Sequence, residues 1–407
     1  MKVTPKEGLE IIYSIKKDPL SYEIPIESAL GRVCAKEYRA KISLPRFDNS
    51  AMDGYCVKTK QRGKSLSVID TLLAGDDREL KIEEDKTVKI MTGARIPLGC
   101  EAVVPQEDIT LEGDKVIFYN EISPFANIRR SGEDIKEGEV LINEGETLTP
   151  YKIALLASQG ISHIEVKRKP KVAILATGSE LKMPYQQLTE GSIYNSNAPM
   201  LYQRAIELGC ETLLLGGCKD DKESIKNIIS KALSDFDLIV TSGGVSVGEA
   251  DFTKAAFAES GATIYFDKVE IKPGKPTTFA KAQECYILNL PGNPLAAAIN
   301  FEIFGKAIIG VLKGANERFH KTIRTALKGE IKPVKRVTAL VGSFDGKSFV
   351  VSKKQGPGMV SPMAFANGFI LAANRDKPLK EGAEVIFLPT GPDSLSARRT
   401  EIFSEAI

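Results

Sequence analysis

Histidine is almost missing from this chain. Its 407 residues include two, His163 and His320. Any centre built on two or three histidines is therefore excluded, and a typical metallophosphatase is disfavoured. The six cysteines, Cys34, Cys56, Cys100, Cys210, Cys218 and Cys285, form no CxxC pair. No Cys/His spacing reads as a zinc or iron–sulfur motif, so they read as a reduced, structural set rather than three disulfides. A hard, oxygen-liganded ion such as magnesium stays open. One-sided charge is also lacking: Lys plus Arg is 55 and Asp plus Glu is 53, a net +2. That balance argues against a whole-surface nucleic-acid binder, though not against a local basic patch. Neither GxxxxGK[ST] nor GxGxxG occurs, which excludes a P-loop nucleotidase and disfavours a dinucleotide oxidoreductase. No signal-type segment opens the chain. Thr4, Pro5 and Glu7 instead read as the capped start of a helix. The most apolar stretch, Leu295 to Leu312, contains Asn300, Glu302 and Lys306 and reads as a buried helix rather than a membrane span. A cytoplasmic protein without nucleic-acid or membrane partners is expected.

What the chain has is ample core and a changing texture. Hydrophobic residues make up 43%, and the length suggests roughly three domains. Residues 1–45 read as mostly helical, with a second helical element from Ile24 to Arg32. From Arg46 to about Gly145 the elements are short and strand-like: Leu66–Ile69, Thr87–Ile90, Val103–Val104 and Val116–Tyr119. Helical texture returns over 150–164, so the β segment reads as an insertion. Residues 170–315 alternate: strands at 171–176, 212–215, 238–241 and 285–290, helices at 198–208 and 221–233. Alternation of this kind means a parallel sheet covered on both faces, with ligands beyond the strand ends. Residues 322–407 read as β again, with Asp345-Gly346 as a hairpin turn. The expected architecture is multidomain: a helical or mixed domain of 1–45 plus 146–168, an inserted β domain of 46–145, a central α/β domain of 169–320, and a C-terminal β-barrel-like domain of 321–407.

Several loops carry chemistry. Thr241-Ser242-Gly243-Gly244-Val-Ser246-Val-Gly248-Glu-Ala-Asp251 follows a strand. Its glycines let backbone N–H groups approach an anion and its hydroxyls add donors, so it reads as a phosphate or oxyanion cradle. The alternative is a plain glycine-rich turn. Gly244 to Gly248 also fits the GxSxG nucleophile elbow, but Ser246 lies too far beyond the strand end. Lys268, Lys272 and Lys275 crowd a loop stiffened by Pro273, Gly274 and Pro276. Fixed lysines suit a polyanion, and a solvated charged loop is the competing view. Pro291-Gly-Asn293-Pro294 precedes a helix, either as a rigid catalytic loop or as a simple helix start. Glu180 follows the first strand, and Asp220 and Asp221 follow the next, where helix capping explains one of the two. Asp48, Asn49, Ser50 and Asp53 mix with Phe47, Met52 and Tyr55 as a partly buried polar network. Arg129 and Arg130 beside Glu133 and Asp134 fit either phosphate clamping with a nearby magnesium or a surface ion-pair network.

In these strings the chain resembles the molybdopterin molybdenumtransferase family, often called MoeA, whose animal relative forms a domain of gephyrin. The resemblance rests on PRFDNSAMDGY (45–55), MTGARIP (91–97), IRRSGEDI (128–135), ATGSEL (176–181), YNSN (194–197), TSGGVSVGEADF (241–252), IKPGKP (271–276), LPGNP (290–294) and GPGMVSPMAFANGF (356–369). It implies a central MogA-like domain and an elongated homodimer. It also implies insertion of molybdate into adenylylated molybdopterin with release of AMP, assisted by Mg2+. The resemblance carries functional roles to Asp53, Thr92, Asp134, Glu180, Asp220, Asp251, Lys268, Lys272, Pro291 and Pro294. Asp134, Asp251, Asp53 and Glu180 are then the candidate metal ligands, without a ranking. Ser242, Gly243, Gly244, Ser246, Gly248, Lys275 and Asn293 are candidates for holding the pterin phosphate or molybdate. An upstream adenylyltransferase, molybdoenzymes and their chaperones are implied as partners. Ser179 replaces the family's common aspartate, and Cys100-Glu101 replaces Ala-Asp. Neither touches a mapped residue. The rival readings are a tungstate-using paralogue, the upstream adenylylation step, and a non-catalytic gephyrin-like scaffold that binds pterin or a peptide.

Overall fold

The computed structural model describes residues 1–218, 222–243, 257, 259, 261–391 and 395–396. They divide into two compact units, one of Met1–Lys36, Glu144–Ile153 and Ser162–Ile407, the other of Glu37–Asn143 and Ala154–Ile161.

The first unit is built on a six-stranded sheet. Glu211–Cys218, Lys171–Thr177, Leu238–Ser242 and Cys285–Leu290 lie side by side and parallel, and Thr278–Ala282 and Thr263–Phe266 extend the sheet antiparallel. Strand Lys171–Thr177 shows why it is a near-continuous apolar run. Val172, Ile174 and Ala176 belong to one core cluster, Ala173 and Leu175 to another. Successive side chains point to opposite faces, so a sheet covered on both sides needs apolar residues at every position. One face is covered by helix Asn197–Glu207 through Leu201 and Ala205, and by Ile303 and Phe304. The other is covered by helix Lys222–Ala232 through Ile225 and Ile229.

The helical run Pro294–Leu312 is apolar enough by composition to cross a membrane, yet it lies wholly buried inside the fold. Its middle, Phe301–Gly305, is a π turn. At the N-terminus, helix Pro5–Tyr13 begins as its sequence demands: Thr4 Oγ1 accepts from Glu7 N, and the Glu7 carboxylate accepts from Thr4 N. The expected second helical element does not form. Ser21–Pro25 is a strand paired along its length with His163–Lys167, and Ile26–Ser28 is a single 3-10 turn. The partner strand lies about 140 residues away in sequence, so tertiary pairing overrides the local pattern. Residues 150–164 are likewise only half helical, ending at Ala157.

The C-terminal β element is closed. Val337–Phe344, Ser348–Val351, Ile323–Lys328, Glu384–Pro389 and Gly368–Ala372 pair in that order, and the last pairs back onto the first. Closure removes most free edges, and Ile271–Lys272 of the lysine loop adds a short parallel pairing onto Val337–Thr338. The Asp345-Gly346 turn forms as expected, with Asp345 Oδ1 accepting from the backbone N–H groups of Lys347 and Ser348.

The second unit is a curled six-stranded sheet in the order Ala102–Pro105, Gly54–Val57, Lys86–Ile90, Leu66–Leu72, Lys115–Phe118, Ile109–Glu112. The fold is thus α/β with all-β parts, as the texture of the sequence required.

Candidate active site

In the first unit a cleft of about 810 Å³ opens beyond the carboxyl ends of the parallel strands. Three of the four parallel strands, counted in chain order, contribute their ends to it. Thr177 and Glu180 follow the first strand, Ser242 and Gly243 the third, and Pro291, Asn293 and Pro294 the fourth. Gly243 has φ +105, and a Cβ there would lie 2.3 Å from the Thr177 carbonyl oxygen, so only glycine fits. Ser242 is buried and committed: its Oγ accepts from Asn197 Nδ2 at 2.8 Å and donates to the Pro291 carbonyl at 3.3 Å. Its hydroxyl therefore fastens two loops together instead of pointing freely at a ligand.

Asn197 also donates to the Gly292 carbonyl at 2.7 Å. A carbonyl accepts only, so the amide orientation is set and Oδ1 is left over. Asn197 Oδ1 and Thr177 Oγ1 are buried without a hydrogen-bond partner, and both residues line the cleft. Buried unpaired polar atoms are costly, so these two on the cleft floor are open to a polar ligand. Asn293 is the N-cap of helix Pro294–Asn300, yet its side chain makes no capping bond. That leaves it exposed on the cleft wall. The segment 356–358 sits over this loop, with Leu295 N donating to the Pro357 carbonyl at 3.0 Å and Gly358 lining the cleft.

The lysine loop is anchored from within. Val269 and Ile271 point into the core while Lys268 and Lys272 are exposed, the alternation of an extended chain. Lys275 is exposed as well, and its carbonyl accepts from Val269 N and Thr277 N. Asn300 of the buried helix donates to the Pro273 carbonyl at 3.2 Å. Gly274 has φ +109, and a Cβ there would fall 1.8 Å from Asn300 Nδ2. Among the described residues no carboxylate lies within 4.0 Å of the three ammonium groups. Nearby Glu270 pairs with Lys2.

The second unit gathers three of the singled-out strings. Asn49–Ser50 pairs with Ile128–Arg129, Asn49 bridges to Arg95, and Leu44 bridges to Ile135. Asp53 Oδ1 accepts from Thr92 N at 2.7 Å and Thr92 Oγ1 at 2.8 Å, across 39 positions of sequence. These two donors hold the Asp53 carboxyl below its ordinary range, with a smaller pull from Lys89. Asp48 takes the arginine instead: Arg130 Nη1 donates to Oδ2 at 2.8 Å, and Ser131 N donates to Oδ1 at 2.8 Å. Asp134 is exposed.

Among the described residues the expected carboxylates are not seen gathered around a metal site. Asp53 and Asp134 belong to the second unit and Glu180 to the first. Among the described residues no three His, Cys, Asp or Glu side chains are placed to share an ion. One Asp53 oxygen is already taken by Thr92. The described residues thus show no magnesium centre. Asp220, Gly244, Ser246, Gly248 and Asp251 lie outside the described residues. Sequence reasoning missed Asn197, Gly358 and Val360 as cleft residues. The YNSN string was a signal for Asn197; Gly358 and Val360 reach the cleft from a segment some 65 positions beyond Asn293.

Residues 3–160 match the family model described as MoeA N-terminal region (domain I and II), and residues 173–311 that of a probable molybdopterin binding domain. A molybdopterin molybdenumtransferase of Haemophilus influenzae is 41% identical over 295 residues, covering 72% of this chain and 73% of that protein. Its counterpart in Staphylococcus aureus strain Mu50 is 31% identical over 401 residues, 96% of each. The crystal structure of the molybdopterin biosynthesis MoeA protein of Pyrococcus horikoshii OT3 superposes with a TM-score of 0.83 at 29% identity, covering 95% of this chain and 100% of that one.

Proposed function

Because the chain belongs to the MoeA family of molybdopterin molybdenumtransferases, we propose that its first-unit cleft is where molybdate enters adenylylated molybdopterin and AMP departs. The protein is a transferase of molybdenum cofactor biosynthesis. The observation that carries the site assignment is the cleft floor, where Thr177 at a strand end and Asn197 at a helix start present unpaired polar atoms.

The side chains suit distinct parts of the reaction. Molybdate is a dianion and the dithiolene supplies its own sulfur, so the protein needs cationic rather than thiolate groups for the metal oxyanion. Lys268, Lys272 and Lys275 are exposed and without a described carboxylate partner, which leaves their charge available to molybdate and to the phosphate that leaves as AMP. Gly243 lets backbone come close to the substrate, and Asn197 and Ser242 hold the Pro291–Pro294 loop in one geometry. Asp53 and Thr92 act as a pair, with Thr92 fixing the carboxylate and keeping it charged. Asp134, Glu180, Asp220, Asp251, Pro291 and Pro294 are functional positions on the strength of the family motifs alone, and no described geometry supports a metal-ligand role among them. The four-part division at 45, 145, 168 and 320, a homodimer, an upstream adenylyltransferase and receiving molybdoenzymes belong to the same reading, as does a cytoplasmic location. Mg2+ is implied by the family alone.

The test is mass balance on the purified protein. Adenylylated molybdopterin and molybdate are supplied, AMP and metal-loaded cofactor are followed together, and a parallel arm uses tungstate. Molybdate-dependent AMP release that disappears in Asp53→Ala is the expected result. Tight pterin binding with no AMP release under either oxyanion, with or without added magnesium, overturns the reading in favour of a scaffold.

A further inference from the structure

A second group of cations lies at the opposite end of the sheet from the cleft. Strand Lys171–Thr177 reaches the cleft at Thr177 and starts just after Pro170. Seven strand residues span about 20 Å. Around Pro170 is a depression lined by Arg32, Lys167, Arg168, Lys169, Gly209 and Lys313, with three neutral neighbours. Five of its nine lining residues are cationic and none is acidic.

Two of the five are neutralised. Lys167 lies 2.9 Å from Glu144 and 3.7 Å from Asp18, and Arg168 lies 2.8 Å from Asp237. Among the described residues the other three have no carboxylate within 4.0 Å. Arg32 is buried, and its Nη2 donates to two neutral oxygens, Tyr22 Oη at 2.8 Å and the Lys167 carbonyl at 3.0 Å. The Lys313 ammonium rests over Gly209, 3.4 Å from where a Cβ would stand. Burial is the main cause that lowers its pKa, and the cations Lys169 and Arg32 add to it, while Cys210 and Glu317 oppose them. The plain alternative is helix capping. Lys313 is the C-cap of helix Lys306–Leu312, and Gly209 follows the helix that ends at Glu207. Each helix end carries roughly half a negative charge, so two ends offset about one of three unpaired cations. Even with Glu317 nearby, positive charge is left over. The whole depression holds about 10 Å³, room for one ligand oxygen, so the rest of a ligand would stand outside it in solvent.

We propose that this depression binds a tetrahedral oxyanion of the phosphate type, with one oxygen seated among Lys313, Lys169 and Arg32. The site is separate from the cleft and does not rest on the transferase reading. Its occupant is either free phosphate or the phosphate of a nucleotide.

The experiment titrates inorganic phosphate into the full chain at constant ionic strength, read by calorimetry and thermal unfolding. Wild type, Lys313→Met, Lys169→Gln and Lys272→Ala are compared. One saturable phosphate site is expected to survive in Lys272→Ala and to weaken roughly tenfold or more in Lys313→Met and Lys169→Gln. Without phosphate, Lys313→Met should unfold at the same or a higher temperature, because a half-buried charge with no described carboxylate partner has gone. In Lys272→Ala, displacement of phosphate by AMP identifies a nucleotide phosphate as the occupant, and no displacement identifies the free anion. Unsaturable binding, or a site lost in Lys272→Ala and unchanged in both other variants, overturns the proposal.

Discussion

His320 should make the stability of this protein fall as the solution is acidified from neutral toward pH 4. Its ring is buried between two oxygens, with Nδ1 2.8 Å from Tyr13 Oη and Nε2 2.9 Å from the Glu302 carbonyl. The carbonyl can only accept, so Nε2 carries the proton and Nδ1 accepts from the tyrosine hydroxyl. Both nitrogens are satisfied while the ring is neutral. Burial, first, and Lys306, second, lower the pKa from 6.5 to about 4. The folded value is depressed, so the unfolded chain binds more protons between these limits. The stabilisation is fully present above pH 6.5 and is lost as the pH falls through 4. With these two values the loss is about 2 kcal/mol at about pH 5, and about 3 kcal/mol once titration is complete. Lys306, lowered to about 8, titrates in a higher window and adds no slope there. Urea unfolding at about pH 7.5 and about pH 5 measures the loss. His320→Gln keeps an acceptor and a donor without the titration, and the exposed His163→Gln serves as control. Wild type and His163→Gln should each lose about 2 kcal/mol more than His320→Gln. Parallel losses in wild type and His320→Gln would refute the reasoning.

Three further outcomes can be checked. Arg204 donates to both Glu302 oxygens, at 2.7 and 3.1 Å, with both side chains buried. Glu302→Gln leaves a buried guanidinium underpaired and should cost about 3 kcal/mol in urea unfolding, and an unchanged midpoint would contradict this. Gly274→Ala should destabilise by more than about 1 kcal/mol, because the new Cβ meets Asn300 and φ is positive; calorimetric melting reads this, and a neutral change would mean the loop relaxes freely. Asn197→Ala removes the donors to Ser242 and Gly292 and should weaken adenylylated-pterin binding roughly tenfold by fluorescence titration with little change in melting temperature. Equal affinity would place the ligand elsewhere.

Much of the architecture could be read along the chain because it is written in local periodicity. The apolar run 171–176, the strand 285–290 and the helix beginning at Pro294 stand within a residue of where their patterns put them. A doubly covered sheet demands uninterrupted apolar residues, and an X-Pro step marks a helix start, so composition and spacing suffice. The loops worth attention were visible for a similar reason: glycine, proline and lysine at strand ends have few other uses. The family strings reinforced them.

Only the folded chain decided who meets whom. Ser21–Pro25 became a strand because His163–Lys167 offered a ladder, and nothing within residues 1–45 encodes that partner. The β ring of residues 323–389 closes through the pairing of Val337–Phe344 with Gly368–Ala372, a choice made by register and twist. Thr92 finds Asp53, and Asn197 finds Gly292, across 39 and 95 positions. The commitment of Ser242, the burial of His320 and the unpaired charge at Lys313 follow from the same cause. Local sequence sets the period of an element and the reach of a side chain. Which distant groups share a low-dielectric space, and so which charges and donors stay unsatisfied, is settled when the elements pack.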